Sequence, residues 1–131
     1  MRYVLALINE ERGWDDVSPE EMKAVMDKWA ALDDELVEAG VWRAGDALQP
    51  SATATTVKVT ESEPIVTDGP FAESKEQLGG FYLLECENLD EALAWAKKVP
   101  LGPGGSIEVR PVMTFEEYGY VHPSERVKAS S

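Results

Sequence analysis

Tyr3 to Ile8 is a short, nearly continuous apolar run. A run of that length without polar alternation suits a strand buried on both faces near the middle of a sheet. Phe81 to Cys86 has the same character and predicts a second central strand. Ser106 to Val112 alternates strictly, which puts Ile107 and Val109 on one face and Glu108 and Arg110 on the other. The threonine and valine alternation of Ala54 to Thr60 predicts a half-exposed strand, and Ile65-Val66-Thr67 returns from it as a short hairpin arm. Val41 to Thr53, interrupted by Gly45 and Pro50, reads as irregular.

Between the strand runs the period changes to that of a helix. Met22, Val25, Met26, Trp29, Leu32 and Leu36 recur at steps of three and four, so one stripe is apolar while Lys23, Asp27, Asp34 and Glu38 face water. Ser18-Pro19-Glu20-Glu21 supplies an N-cap, a proline at the first helical position and a capping-box glutamate; Gly40 is the expected stop. A second helix is expected through Leu89, Ala92, Leu93, Ala96 and Val99, capped by Asn88 with Glu91 and ended by Pro100. Lys97 and Lys98 complement the negative end of its dipole. Gly13 and its polar neighbours form a loop in which Trp14 is a candidate exposed aromatic, although folding back on the core is the commoner fate of such a residue. Beyond Tyr120 the chain turns polar, so residues 1–120 are expected to form a single domain and 121–131 a frayed tail.

The predicted order is strand, helix, strand with hairpin, strand, helix, strand. That is the split βαβ, ferredoxin-like pattern of the α+β class, an antiparallel sheet with both helices on one face. Its other face is lined by central strands that are apolar on both sides and needs a cover. A second copy stacking its own sheet there would supply it, so a homodimer is expected.

Composition narrows the partners. With 131 residues and 44% hydrophobic content, the chain can bury the core of one domain without disulfides, and Cys86, its single cysteine, has no internal partner. A formal net charge of −13 repels a phosphate backbone, which disfavours nucleic acid. The opening apolar run is too short for a signal peptide, and none approaches a membrane span, so the expected location is the cytoplasm.

The densest local signal is Pro64 to Gly80, where Asp68, Gly69 and Pro70 break the strand and Asp68, Glu73, Lys75 and Glu76 carry charge ahead of Gly79 and Gly80. With its upstream Ala39-Gly40-Val41 and Leu48-Gln49-Pro50-Ser51, its Asp68-Gly69-Pro70-Phe71, Glu73, Lys75-Glu76-Gln77 and Gly79-Gly80, and its later Glu108-Val109-Arg110-Pro111, the chain resembles the YCII-related superfamily in its DGPF-domain branch, from Met1 to about Val112. The resemblance implies a dimeric α+β barrel with two ferredoxin-like sheets around an interior cavity. It also implies a largely unsettled biochemical role, with suspected enzymatic members and others linked to extracytoplasmic-function sigma factors. YCII-type members carry a histidine early in the first helix, proposed to act with an aspartate. Here that turn holds Glu20 and Glu21, and the only histidine is His122 in the tail, so a histidine mechanism does not carry over.

The chemistry left to the chain is that of carboxylates with cationic neighbours. No serine triad or histidine metal site can be assembled without His122, Gly102 to Gly105 lacks the ending of a phosphate loop, and Cys86 reads as a buried inert thiol; no metal or cofactor is expected. Asp68 is the candidate general base and Arg110 the candidate holder of an anionic group, with Glu108, Lys75, Glu73 and the phenol of Tyr82 as further candidate substrate contacts. Each has a plainer alternative: a turn residue for Asp68, a salt bridge for Glu108 and Arg110, a solvated charge run for Glu73 and Lys75, a core tyrosine for Tyr82. Three functions stay open: a small-molecule enzyme of proton-transfer or lyase type, a non-catalytic ligand- or protein-binding module serving a sigma factor, and a purely architectural dimer.

Overall fold

The computed structural model describes residues 1–13 and 15–130, with side chains up to Arg126. Trp14, the candidate exposed aromatic, lies outside the described residues. The elements run β1 (Arg2–Glu10), α1 (Pro19–Glu38), β2 (Trp42–Ala47), β3 (Thr55–Lys58), β4 (Ile65–Asp68), β5 (Glu76–Glu85), α2 (Leu89–Ala96), β6 (Ser106–Pro111) and α3 (Pro123–Ser130). Strands β2, β5, β1 and β6 form, in that order, a four-stranded antiparallel sheet. This is the expected ferredoxin-like α+β order, with the β3–β4 hairpin inserted between two strands of the sheet.

One strand differs from expectation. The Thr/Val segment expected to enter the sheet forms a separate two-stranded unit with β4, whereas Trp42–Ala47, expected to be irregular, is the sheet's edge strand. Trp-Arg-Ala-Gly-Asp-Ala has no β-branched residue, so its strand character comes from pairing with β5 and not from propensity. Gly45 permits that pairing: a Cβ there would lie 2.8 Å from Cδ1 of Tyr82 and 3.1 Å from the carbonyl oxygen of Phe81. The strand after the hairpin also starts earlier than its apolar run, at Glu76, with an irregularity in its pairing to β1 between Leu7 and Ile8. Beyond Tyr120, where fraying was expected, α3 forms, and its Ser124 Oγ accepts a hydrogen bond from Arg2 at 3.3 Å.

Both expected caps are made. Ser18 Oγ accepts from the Glu21 amide and Asn88 Oδ1 from the Glu91 amide, each at 3.0 Å. Gly40, at φ 75°, follows the end of α1 in the left-handed region. The core lies between the sheet and the two helices. Tyr3, Leu5 and Leu7 of β1 and Tyr82 and Leu84 of β5 meet Leu32 and Leu36 of α1 and Ala92 and Ala96 of α2. Only the C-terminal half of the α1 stripe is buried, at Leu32 and Leu36; Met26 is 56% exposed. Lys98 ties the helices at the surface through a 2.7 Å bridge to Glu35, with its ammonium over the Trp95 ring.

Candidate functional site

The alternation of β1 buries Tyr3, Leu5 and Leu7 under the helices and turns Arg2, Val4, Ala6 and Ile8 to the opposite face. Strand β5 does the same, burying Tyr82 and Leu84 and turning Phe81, Leu83 and Glu85 outward. Register brings these positions into rows. Val4 lies between Leu83 and Arg110, and Ala6 between Phe81 and Glu108. On β2, Ala44 extends the first row beside Leu83 and Asp46 the second beside Phe81. The face opposite α1 and α2 is therefore apolar along its centre and half-exposed in a single chain, with Glu108 and Arg110 on its β6 margin, Asp46 on its β2 margin and the start of α3 meeting it at Arg2.

The ends of this face differ in charge. Glu10 pairs with Glu76 at one end. At the other, Arg2 pairs with Glu85, and Arg110 stands one row further in, beside Val4. The Glu85 carboxylate is held below the ordinary range, first by a hydrogen bond from the Met1 amino group, 2.7 Å away, with Arg2 and Arg43 adding to the effect. Arg43 folds back onto the backbone, donating to the carbonyls of Gly40 and Trp42.

The structure separates the residues singled out from the sequence. Glu108 and Arg110 form the expected pair, but a loose one, with Nε 3.7 Å from the carboxylate and both side chains more than half exposed. Asp68 ends β4, outside the four-stranded sheet. Its turn is held by other groups: the Gly69 amide donates to the Ala54 carbonyl and Thr56 Oγ1 to the Gly69 carbonyl, both at 2.7 Å. Gly69 has φ 107°, a conformation that requires glycine. Glu73 and Lys75 are exposed in the loop before β5, which Gln77 steadies by donating from Nε2 to the carbonyls of Ala72 and Ser74. No salt bridge among the described residues joins Asp68 or Lys75 to Glu108 or Arg110.

Tyr82 belongs to the other side of the sheet. Its ring is buried and stacked on Trp29 with centroids 6.5 Å apart, and its hydroxyl donates to Asp33 Oδ1 at 2.8 Å. Burial first, then the Asp33 hydrogen bond and charge, push the phenol well above the ordinary tyrosine range. Among the alternatives for this residue, that is the core tyrosine. Cys86 is likewise buried, its thiol pushed up to about 11 by burial and by Glu91. The ring of His122 accepts from the Ser124 amide at the start of α3.

Two neighbours of these residues were not anticipated. Asp33 directly follows Leu32 of the apolar stripe in α1 and carries no signal of its own in the sequence. Arg2, just before the first apolar run, shares the parity of Val4 and Ala6, and that parity alone places it on the open face. A further surface feature is the β3–β4 hairpin. Val57, Ile65 and Val66 are exposed there, Phe71 is 93% exposed, and a groove of about 380 Å³ runs past Thr56, Thr67, Pro70 and Phe71. Among the described residues no helix is long and apolar enough to cross a membrane, and no three metal-ligating side chains cluster.

A four-stranded antiparallel sheet carrying α1 and α2 on one face and an apolar opposite face defines a ferredoxin-like α+β protein. The chain belongs to the YCII-related domain family, whose model matches residues 1–116. It is 42% identical over 118 residues to an uncharacterised protein of Rhizobium meliloti (strain 1021), an alignment that covers 88% of this chain and 95% of that one. Among solved structures it is similar to the 5-chloro-2-hydroxyhydroquinone dehydrochlorinase of Burkholderia phenoliruptrix AC1100 in complex with 2,5-dihydroxybenzoquinone. That match has a TM-score of 0.42 and 16% identity, covering 89% of this chain and 98% of that one.

Proposed function

We propose that the protein is a homodimer whose two open sheet faces enclose a cavity for a small organic molecule, and that it acts there as an enzyme of proton-transfer or lyase type. The observation that carries this reading is the open face itself. Val4, Ala6, Ile8, Phe81 and Leu83 are half-exposed in one chain, and the ionisable groups lie at the margins of that face and not at its centre. An apolar surface with a few placed polar groups is the usual composition of a small-molecule site, and a second sheet excludes the water that would weaken those groups.

Arg110 is the proposed anion holder, with Glu108 beside it, and Asp68 the proposed base. The hairpin follows β2, whose last residue Ala47 pairs with Gly80, while Arg110 pairs with Val4 towards the opposite end of the sheet. For Asp68 to act on a ligand held by Arg110, the hairpin has to cover the far mouth of the cavity, with Lys75 and Glu73 in the adjoining loop. Asp68→Asn tests the assignment. An unchanged melting temperature with loss of turnover, or of ligand-induced stabilisation against a panel of organic acids, supports it. A large fall in melting temperature with dissociation of the dimer assigns Asp68 to architecture.

A second reading, a non-catalytic module that binds a protein such as a sigma factor, is favoured by the hairpin. Its exposed Val57, Ile65, Val66 and Phe71 are the apolar side chains a macromolecular partner would cover. Replacing the hairpin by a short glycine-serine turn would then abolish partner binding while the dimer persists.

A further inference from the structure

The arginine end of the open face narrows the class of ligand. Arg110 lies opposite Val4, and Arg2 stands two residues before Val4 on the same strand and the same face. The two arginines are thus diagonal neighbours across an antiparallel pair, with Cβ atoms roughly 7 Å apart, within reach of one shared oxyanion. The arrangement stands out in a chain with only 12 basic residues against 25 acidic ones.

The protein does little to saturate either group. Glu108 approaches only Nε of Arg110, at 3.7 Å, and among the described residues no hydrogen bond involves the terminal nitrogens of Arg110. Arg2 donates from Nη2 to Ser124 Oγ at 3.3 Å, a long contact to a neutral hydroxyl. Glu85, which faces Arg2, receives the closer Met1 amino group at 2.7 Å. Two guanidinium forks side by side, each with donors left unfilled among the described residues, match the planar oxygen pair of a carboxylate better than a point charge would. Next to them lie Val4 and Leu83, then Ala6 and Phe81, with no charged side chain along this central strip until the Glu10–Glu76 end.

We propose that Arg2 and Arg110 together hold the anionic group of a small apolar acid, whose body lies along Val4, Leu83, Ala6 and Phe81. The proposal rests on the reading of the open face as a ligand surface and adds the second arginine and the ligand class. A neutral molecule of the same shape leaves both guanidinium groups desolvated and unpaired, so the anion is the preferred form.

The test uses benzoate as probe, with benzyl alcohol as the neutral counterpart and inorganic phosphate as the anion without an apolar body. Binding is followed in amide and arginine Nε–H NMR spectra at fixed ionic strength, with the mass of each sample determined by light scattering. Benzoate is expected to shift the side-chain signals of both arginines together with amides of β1 and β5, with benzyl alcohol and phosphate each weaker. Arg2→Gln and Arg110→Gln should each weaken benzoate on the order of tenfold, and the lysine variants by less. Equal binding of benzyl alcohol and benzoate, tighter binding of phosphate than of benzoate, or unchanged benzoate affinity in both glutamine variants overturns the proposal. So does the absence of shifts. In that last case the mass decides what falls: a dimer that ignores benzoate removes the clamp and leaves the cavity, whereas a monomer removes both.

Discussion

Gly45→Ala is a small perturbation whose effect can be worked out from the packing of the edge strand. Gly45 lies opposite Tyr82, and a methyl group there would stand 2.8 Å from Cδ1 and 3.3 Å from Cε1 of that ring, and 3.1 Å from the Phe81 carbonyl oxygen. The ring cannot swing away freely, because Trp29 stacks on it and Asp33 holds its hydroxyl. Forcing an extra methyl into a packed site costs about 1–3 kcal/mol. Replacing a glycine whose backbone suits alanine returns about 0.4–1 kcal/mol through the unfolded state. The net loss expected is about 1–2 kcal/mol, or a fall in Tm of roughly 4–7 °C for a chain of this length. Thermal melts followed by circular dichroism at one protein concentration measure it. Repeating the substitution in a Tyr82→Leu background isolates the cause: without the ring, about half of the penalty or more should vanish, the coupling expected of residues in direct contact. A neutral or stabilising Gly45→Ala, or a penalty unchanged by Tyr82→Leu, refutes the packing argument for this strand.

Two further predictions concern pH and helix ends. Tyr82 and Cys86 both ionise at higher pH in the folded chain than at their ordinary values of 10.0 and 9.0, and in each case burial is the first cause. Their stabilising contributions are therefore complete below about pH 9. From there upward the unfolded chain loses protons that the folded chain keeps, so stability should decline, and urea titrations should show less of that decline in Tyr82→Phe. Ser18→Ala removes the acceptor of the Glu21 amide and should cost about 1 kcal/mol, most of it recovered in Ser18→Gly, as measured by the same urea titrations.

Much of the fold was legible because the apolar runs and the cap residues agreed. Tyr3 to Ile8, Phe81 to Cys86 and Ser106 to Val112 gave three of the four sheet strands, and Ser18 and Asn88 gave both helix starts. The fourth strand was misplaced for a physical reason. Thr55–Lys58 has high intrinsic strand propensity but finds its partner only locally, in β4, while Trp42–Ala47 has little propensity and is made a strand by the β5 edge against which Gly45 lets it lie. The site was legible only in part. Strict alternation in β6 put Glu108 and Arg110 on one face, as found. The same rule applied to β5 would have turned Tyr82 towards the helices, because it shares the parity of Leu84 and Cys86, which are buried there. Arg2 escaped notice because it precedes its apolar run. The separation of Asp68 from Arg110 could not be read at all, since it depends on the hairpin leaving the sheet.

The central claim is that the face opposite α1 and α2, with Val4, Ala6, Phe81 and Leu83 at its centre, is the interface and the wall of a cavity. The most direct measurement is the mass of the chain in solution by light scattering at micromolar concentration, beside that of Leu83→Glu, which places a carboxylate at the centre of that face. The account predicts twice the 14.4 kDa chain mass for the wild type and 14.4 kDa, with the fold retained, for the variant. A wild-type mass of 14.4 kDa, or a Leu83→Glu protein that is folded and still dimeric, would contradict it.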